Sequence, residues 1–341
     1  MPKVDPITLS VVRGTLETTQ REMTLALEKT SRSSVLNLAR DYSTTIFNST
    51  PEMILQGQDI PIHLGSFMPA MKAVADFFGE DIHEGDLILH NDPAYQGSHI
   101  VDMCMYRPVF YKEKHVFWTA CKGHLTDAGG PVPASYNPEA TEIFAEGLRI
   151  PPIKLWDKGK PRDDILNMVL TNMRARRDQE GDFRALIGSC QVGERNLINM
   201  LDKYGFDEVS LCIDELLSMA DRHMRSLIKE IPDGSYSGTA ILEDAGHGLG
   251  DMEITANLTI KDDACDIGII SPPQVPYFIN SYEGNSYSGV YLGLMMFAQL
   301  PPPYNEGLYR CVNVNMGPKG TLCNAEDPAP HVNCTTTPME T

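Results

Sequence analysis

The stretch Leu89–Gly130 reads LHNDPAYQGSHIVDMCMYRPVFYKEKHVFWTACKGHLTDAGG. Two apolar, β-prone runs within it, Met103–Phe110 and Val116–Cys121, flank the polar break Lys112-Glu113-Lys114. That is the pattern of a β-hairpin with its tip at the lysines. Two His-x-x-Asp units, His99/Asp102 and His124/Asp127, stand at the outer ends of the runs. Antiparallel pairing brings facing residues to roughly 4.5–5.5 Å, so a hairpin here carries both units to one place. Two imidazoles and one or two carboxylates converging there can bind a divalent metal and leave positions open for water or substrate. A lone His-x-x-Asp is more often a surface hydrogen bond, whereas two copies beside Gly97, Gly123, Gly129 and Gly130 fit a crowded site where backbone approaches a ligand. On the residues alone the two readings stand level.

The chain has 341 residues, enough for one large or two ordinary domains, and its 42% hydrophobic and 22% charged content is that of a soluble globular protein. A net charge of -18 argues against nucleic acid and against an anionic membrane surface as partners. No apolar run approaches the roughly 20 residues of a membrane span, and MPKVDPITLS has no signal-peptide pattern, so a cytoplasmic protein is expected. The eight cysteines include no CxxC pair, which points to free thiols. Cys104 and Cys121 fall on the two hairpin strands, where they would face each other or pack as small buried hydrophobes.

Outward from the hairpin, Asp5-Pro6 opens a helix to about Thr30. Strand character follows within Val35–Phe47, with Met53–Leu55 as its partner, then a helix over Phe67–Phe78 and a strand over Asp86–His90. Asp41 reads first as a turn or cap residue, and His63 as a satisfied structural histidine. The Pro/Gly-rich passage Pro131–Pro152 is expected to be an ordered loop that lines or covers the site. Glu142 and Glu146 within it, at i,i+4 spacing, read as a solvated face. Three helices are predicted at about 163–175, 179–203 and 207–230, with Arg174, Arg176 and Arg177 as helix-end cations or a phosphate patch. Strands over Tyr236–Leu242, Met252–Ile260 and Cys265–Ile270, and a helix over Tyr287–Leu300, complete the pattern. Gly246–Gly250 matches neither a P-loop nor a dinucleotide fingerprint, so no nucleotide site is assigned. The expected fold is α+β, with mixed or antiparallel sheets, packed helices, a central β-hairpin carrying a metal site and a β-rich C-terminal part. Residues 1–234 form the first region and 235–341 the second.

NDPAYQGSHIVD, KGHLTDAGG and ATEIFAEGLRIPP together resemble the B-type subunits of the hydantoinase/oxoprolinase family, which includes the metal-bearing subunits of acetone and acetophenone carboxylases. DPITLSVVRGTLE, ARDYSTTIFN, IPIHLGS, GDFRALIGSCQVGERNL and IPDGSYSG extend the resemblance over nearly the whole chain. The resemblance implies a divalent metal (Mn, Zn or Fe) on His99, Asp102 and His124, with Asp127 and Asp41 as candidates for general base or for orienting the ligands. It also implies a hetero-oligomer in which an A-type partner uses ATP to phosphorylate an amide or enol oxygen and the B-type subunit acts on the activated group. The implied reaction is hydrolysis of a cyclic amide of hydantoin, oxoproline or lactam type. Carboxylation of a ketone is the alternative, and a metal-stabilised scaffold without chemistry is a third reading. Relatives usually run on beyond the point where this chain ends in CTTTPMET, so it is expected to be a split subunit or a processed piece. At Ile269–Gln274 the run IISPPQ replaces their GTS-type run, so no function of that loop is carried over.

Overall fold

A computed structural model of the chain describes residues 4–57, 59–299 and 304–334. Asp5 opens the first helix: its carboxylate accepts the Thr8 backbone N–H at 2.9 Å, and Pro6 sits where no amide donor is needed. This helix, α1 (Pro6–Thr30), buries Val12, Leu16, Met23 and Leu27. There follow the single turn α2 (Ser34–Asn37), the hairpin β1 (Tyr42–Asn48) and β2 (Met53–Gln56), α3 (Pro61–Phe78) and β3 (Leu87–His90). The central hairpin is β4 (Asp102–Tyr111) and β5 (Lys114–His124), turning at Lys112 and Glu113, both with positive φ. Next come β6 (Ile153–Asp157), β7 (Lys160–Pro161), α4 (Asp163–Thr171), α5 (Arg176–Tyr204) and α6 (Phe206–Ile228). The rest holds β8 (Gly234–Leu242), β9 (Met252–Lys261), β10 (Ala264–Ile270), α7 (Glu283–Ala298) and β11 (Val312–Asn315).

Among the described residues, β1 to β7 form an antiparallel sheet in the order β2-β1-β5-β4-β3-β6-β7. Strands β8 to β11 form a second sheet, β11-β10-β9-β8, in which β10 and β11 run parallel. The architecture is the expected α+β with antiparallel and mixed sheets. Met103, Met105 and Cys121 share a core with Leu186 and Cys190 of α5. Cys104, Tyr106, Trp118 and Ala120, out of phase with them, share another with Phe67 and Met71 of α3. With helices on both faces the central strands need no polar alternation, which is why their runs read as continuously apolar. The second core also takes in Met224 of α6, Met295 of α7 and Ile260, Cys265 and Ile267 of the second sheet. Among the described residues no helix is long and apolar enough to cross a membrane.

Several local expectations need correction. Helix α3 begins at Pro61 rather than Phe67, because Pro61 occupies its first position; Gly65 and the internal Pro69 hide its first turns from a propensity reading. Cys104 and Cys121 do not face each other: Cys104 pairs with Lys122, and Met105 with Cys121. All eight cysteines are free and buried. Residues 34–37 are helical, and the strand begins only at Tyr42. Leu300, the expected end of the last helix, and 335–341 of the terminal run lie outside the described residues.

Helix α5 reaches the hairpin through glycine. A Cβ on Gly193 would stand 2.5 Å from Met23 Sδ and 2.7 Å from Thr119 Cγ2, whereas one on Gly188 of the same helix would meet nothing within 4 Å. Gly193→Ala is therefore expected to destabilise by about 1–3 kcal/mol through overpacking. Gly188→Ala should stabilise by up to about 1 kcal/mol through helix propensity. Urea unfolding of the two variants checks both signs.

Candidate metal centre

The open end of the hairpin sets the site. Asp102, the first residue of β4, pairs directly with His124, the last of β5. Strand alternation puts both on the same face as Cys104, Tyr106, Trp118 and Ala120, the face that packs on α3. His99 approaches from the turn before β4, so that His99 Nε2 and His124 Nδ1 each lie 3.0 Å from Asp102 Oδ1. Ligand atoms of the three residues fall within 4.8 Å of one another. Two imidazole nitrogens and a carboxylate oxygen this close form a donor set suited to Mn²⁺, Fe²⁺ or Zn²⁺.

Two of the three ligand candidates, His99 and Asp102, are oriented by a neighbour outside the cluster. His99 Nδ1 donates to the Val332 carbonyl at 3.1 Å, which turns Nε2 inward, toward Asp102. Ser98 Oγ donates to Asp102 Oδ2 at 2.6 Å. Behind Ser98 lies Lys122, fully buried, whose ammonium donates to Ser98 Oγ at 2.9 Å and Ser66 Oγ at 2.5 Å. The Phe67 ring, its centroid 4.8 Å from Nζ, completes the surroundings of that charge. His63, in the first turn of α3, donates or accepts at Ser43 Oγ through Nδ1 and sets Nε2 3.6 Å from Asp41 and 3.7 Å from Asp102.

Burial works against the charge on Asp102, yet His99 and His124 hold it well below the usual carboxylate range. Burial pushes His63 down to about 3, so that its imidazole is neutral. His124 is also disfavoured as a cation by burial, but Asp102 and Asp41 outweigh this and raise it. Burial and the Asp102 charge raise Asp41. The site is closed on the Asp102 side and open on the other, where the side chains of His124 and Asp41 keep 26% and 35% exposure.

The sequence model of the hydantoinase B/oxoprolinase family matches residues 5–341. The chain belongs to that family. It is 72% identical over all 341 residues to caprolactamase subunit beta of Pseudomonas jessenii and covers 59% of that relative. It matches the crystal structure of the ATP-dependent caprolactamase from Pseudomonas jessenii with a TM-score of 0.95, covering 99% of this chain and 58% of that one. A nucleotide-free acetone carboxylase structure matches with a TM-score of 0.87 at 19% identity over 97% of this chain and 46% of that one, a likeness of fold. The chain thus spans less than two thirds of the length of these relatives.

Of the residues singled out in the sequence, His99, Asp102 and His124 come together, with Asp41 3.9 Å from His124. Asp127 turns elsewhere: its carboxylate receives the Arg174 backbone N–H at 2.8 Å and guanidinium at 2.6 Å. Arg174 also donates to the Gly130 carbonyl, tying the positive-φ pair Gly129-Gly130 to the start of α5. Arg174 is thereby a structural cation. Glu146, expected on a solvated face, is fully buried, because the loop folds inward against residues 331 and 332. Lys122, Ser98 and Ser66 were not anticipated, although a lysine inside TACKGH was a visible anomaly.

Burial pushes the Glu146 carboxyl up to about 8, against the pull of two backbone N–H groups and of Arg149. Between the ordinary value of 4.5 and about 8, the folded chain keeps a proton that the unfolded chain has released. Its stabilising contribution is whole below 4.5 and is lost as pH rises through about 8. Glu146→Gln removes this titration. The wild type should lose stability relative to the variant by about 1.4 kcal/mol per pH unit inside that window, read by urea unfolding at several pH values. Parallel pH dependences would show the carboxyl ionised throughout.

Proposed function

We propose that this chain carries the metal-dependent part of an ATP-dependent hydrolase of cyclic amides, with a lactam as substrate. The observation that carries the reading is the 72% identity, spread over all 341 residues, with caprolactamase subunit beta. In this reading an A-type partner subunit uses ATP to activate the amide oxygen, and the opened ring leaves from the hairpin site. His99, Asp102 and His124 would hold the divalent ion. When bound, that ion supplies Lewis acidity to an oxygen of the substrate or of water.

The chain's own residues do the rest. Asp102, held ionised between the histidines, contributes negative charge at a fixed point, and Ser98 keeps its second oxygen from turning away. His63, kept neutral, fills the space between Asp41 and Asp102 without adding charge. Asp41 stands on the open side, next to His124, where a carboxylate oxygen can take a proton from attacking water and pass it to the leaving nitrogen. Asp127, engaged by Arg174, holds the loop that borders the site.

Two measurements test the reading. Co-purified with its A-type partner, the chain should open caprolactam to an amino acid only when ATP is supplied. A carboxylated product from an aryl ketone and bicarbonate would replace the hydrolase with a carboxylase, and no turnover of either substrate class would leave a scaffold. In the second, His124→Ala should keep its far-UV circular dichroism and lose most of its divalent metal by elemental analysis. Its lactam hydrolysis should fall by more than about 100-fold, beyond the 10–100-fold typical of losing a group that only orients a ligand. Full metal occupancy in this variant overturns the assignment of ligands.

A further inference from the structure

Glu146 touches none of the three ligand candidates, yet it is connected to one of them. It follows the short turn Ile143–Ala145 in the loop beyond the hairpin, and its side chain is fully buried. One carboxyl oxygen, Oε1, accepts two backbone N–H groups, from His331 at 2.7 Å and Val332 at 2.8 Å. The carbonyl of Val332 is the group that receives His99 Nδ1–H. A second tie joins the same two stretches, where the Ile143 N–H donates to the Pro328 carbonyl at 2.8 Å. A segment remote in sequence is thus held at two points by residues 143–146 and offers one carbonyl to the site.

We propose that Glu146 is a positioning residue of the metal centre: by clamping residues 331 and 332 it fixes the Val332 carbonyl, which holds His99 in the tautomer that presents Nε2 toward Asp102. The inference rests on the reading of His99, Asp102 and His124 as a divalent-ion site. Loss of the clamp frees the Val332 carbonyl to shift and His99 to rotate or exchange tautomer, while Asp102 and His124 stay paired across the hairpin. Groups that orient a metal-binding histidine in this way are commonly worth 10–100-fold in metal affinity. Burial favours the protonated acid, so glutamine is a close substitute, with its carbonyl oxygen on the two N–H groups. Alanine removes the acceptor.

The test uses the full chain and Co²⁺ as probe, with affinity measured by chelator competition and the visible spectrum recorded. Glu146→Ala should lose about 10–100-fold in affinity with an altered spectrum, and Glu146→Gln should restore both. An alanine variant that folds and keeps wild-type affinity and spectrum overturns the proposal, as does a glutamine variant impaired as much as alanine. His99→Ala is the control: if it too binds Co²⁺ as the wild type does, the metal-site reading fails. A measurement on the unmutated protein covers an alanine variant that does not fold. Long-range ¹⁵N–¹H spectra of the metal-free chain, with the His99 signal identified by its loss in His99→Asn, should show a proton on His99 Nδ1. A ring without a proton on Nδ1 overturns the proposal.

Discussion

The pairing of Asp102 with His124 across the open end of one hairpin is the constraint on which the site depends. Register in an antiparallel pair is strict: a slip of one residue would send one of these side chains to the α5 face, into the apolar company of Met103 and Cys121. What enforces the register is burial on both faces, since each alternate residue of β4 and β5 already has a helix to pack against. The core and the candidate centre are therefore specified by the same strand pairing. Gly193, which lets α5 close onto Thr119 beside Met23, belongs to the same device at one remove.

A buried carboxylate flanked by imidazoles would be costly if nothing compensated its charge. His99 and His124 supply most of that compensation, and Lys122 adds to it at a distance. Its ammonium has three donors, and two serine hydroxyls and the Phe67 face meet them, while Ser98 passes the effect on to Asp102. Lys122 reaches Asp102 through Ser98 rather than directly, which leaves Asp102 Oδ1 to the histidines. A serine between cation and carboxylate thus keeps the pair from collapsing into a closed salt bridge that would occupy the candidate ligand oxygen.

The hairpin, its tip, the α5 and α6 helices and the cluster of His99, Asp102 and His124 were legible because each is encoded locally: continuous apolar runs, a polar break, helical periodicity, and ligand spacing on either side of one turn. The start of α3 was obscured because Gly65 and Pro69 act against helix propensity where tertiary packing overrides it. Glu146 was read as solvated because i,i+4 acidic spacing carries no information about where a loop folds back. Its burial depends on residues 331 and 332, contacts that no local pattern announces. Asp127 was grouped with the site by the repeated His-x-x-Asp motif, but a strand end fixes the direction of only the first residues after it. By Asp127 the chain has turned toward Arg174.

The two faces of the site differ in what they can do. On the closed face His99, Ser98, Lys122 and Val332 are tied into one hydrogen-bonded chain and excluded from water, so their arrangement cannot readily change during a reaction. On the open face His124 and Asp41 have partial exposure and longer contacts, 3.9 Å between them. A substrate could approach past these two, and of them His124 is committed to Asp102 by a 3.0 Å contact. Asp41 stands 3.6 Å from His63 and 3.9 Å from His124, both longer than a hydrogen bond. Rigid candidate ligands behind and a loosely held carboxylate in front would divide the labour of the proposed cyclic amide hydrolysis, in which the ligands stay fixed while a proton moves from water to the departing nitrogen.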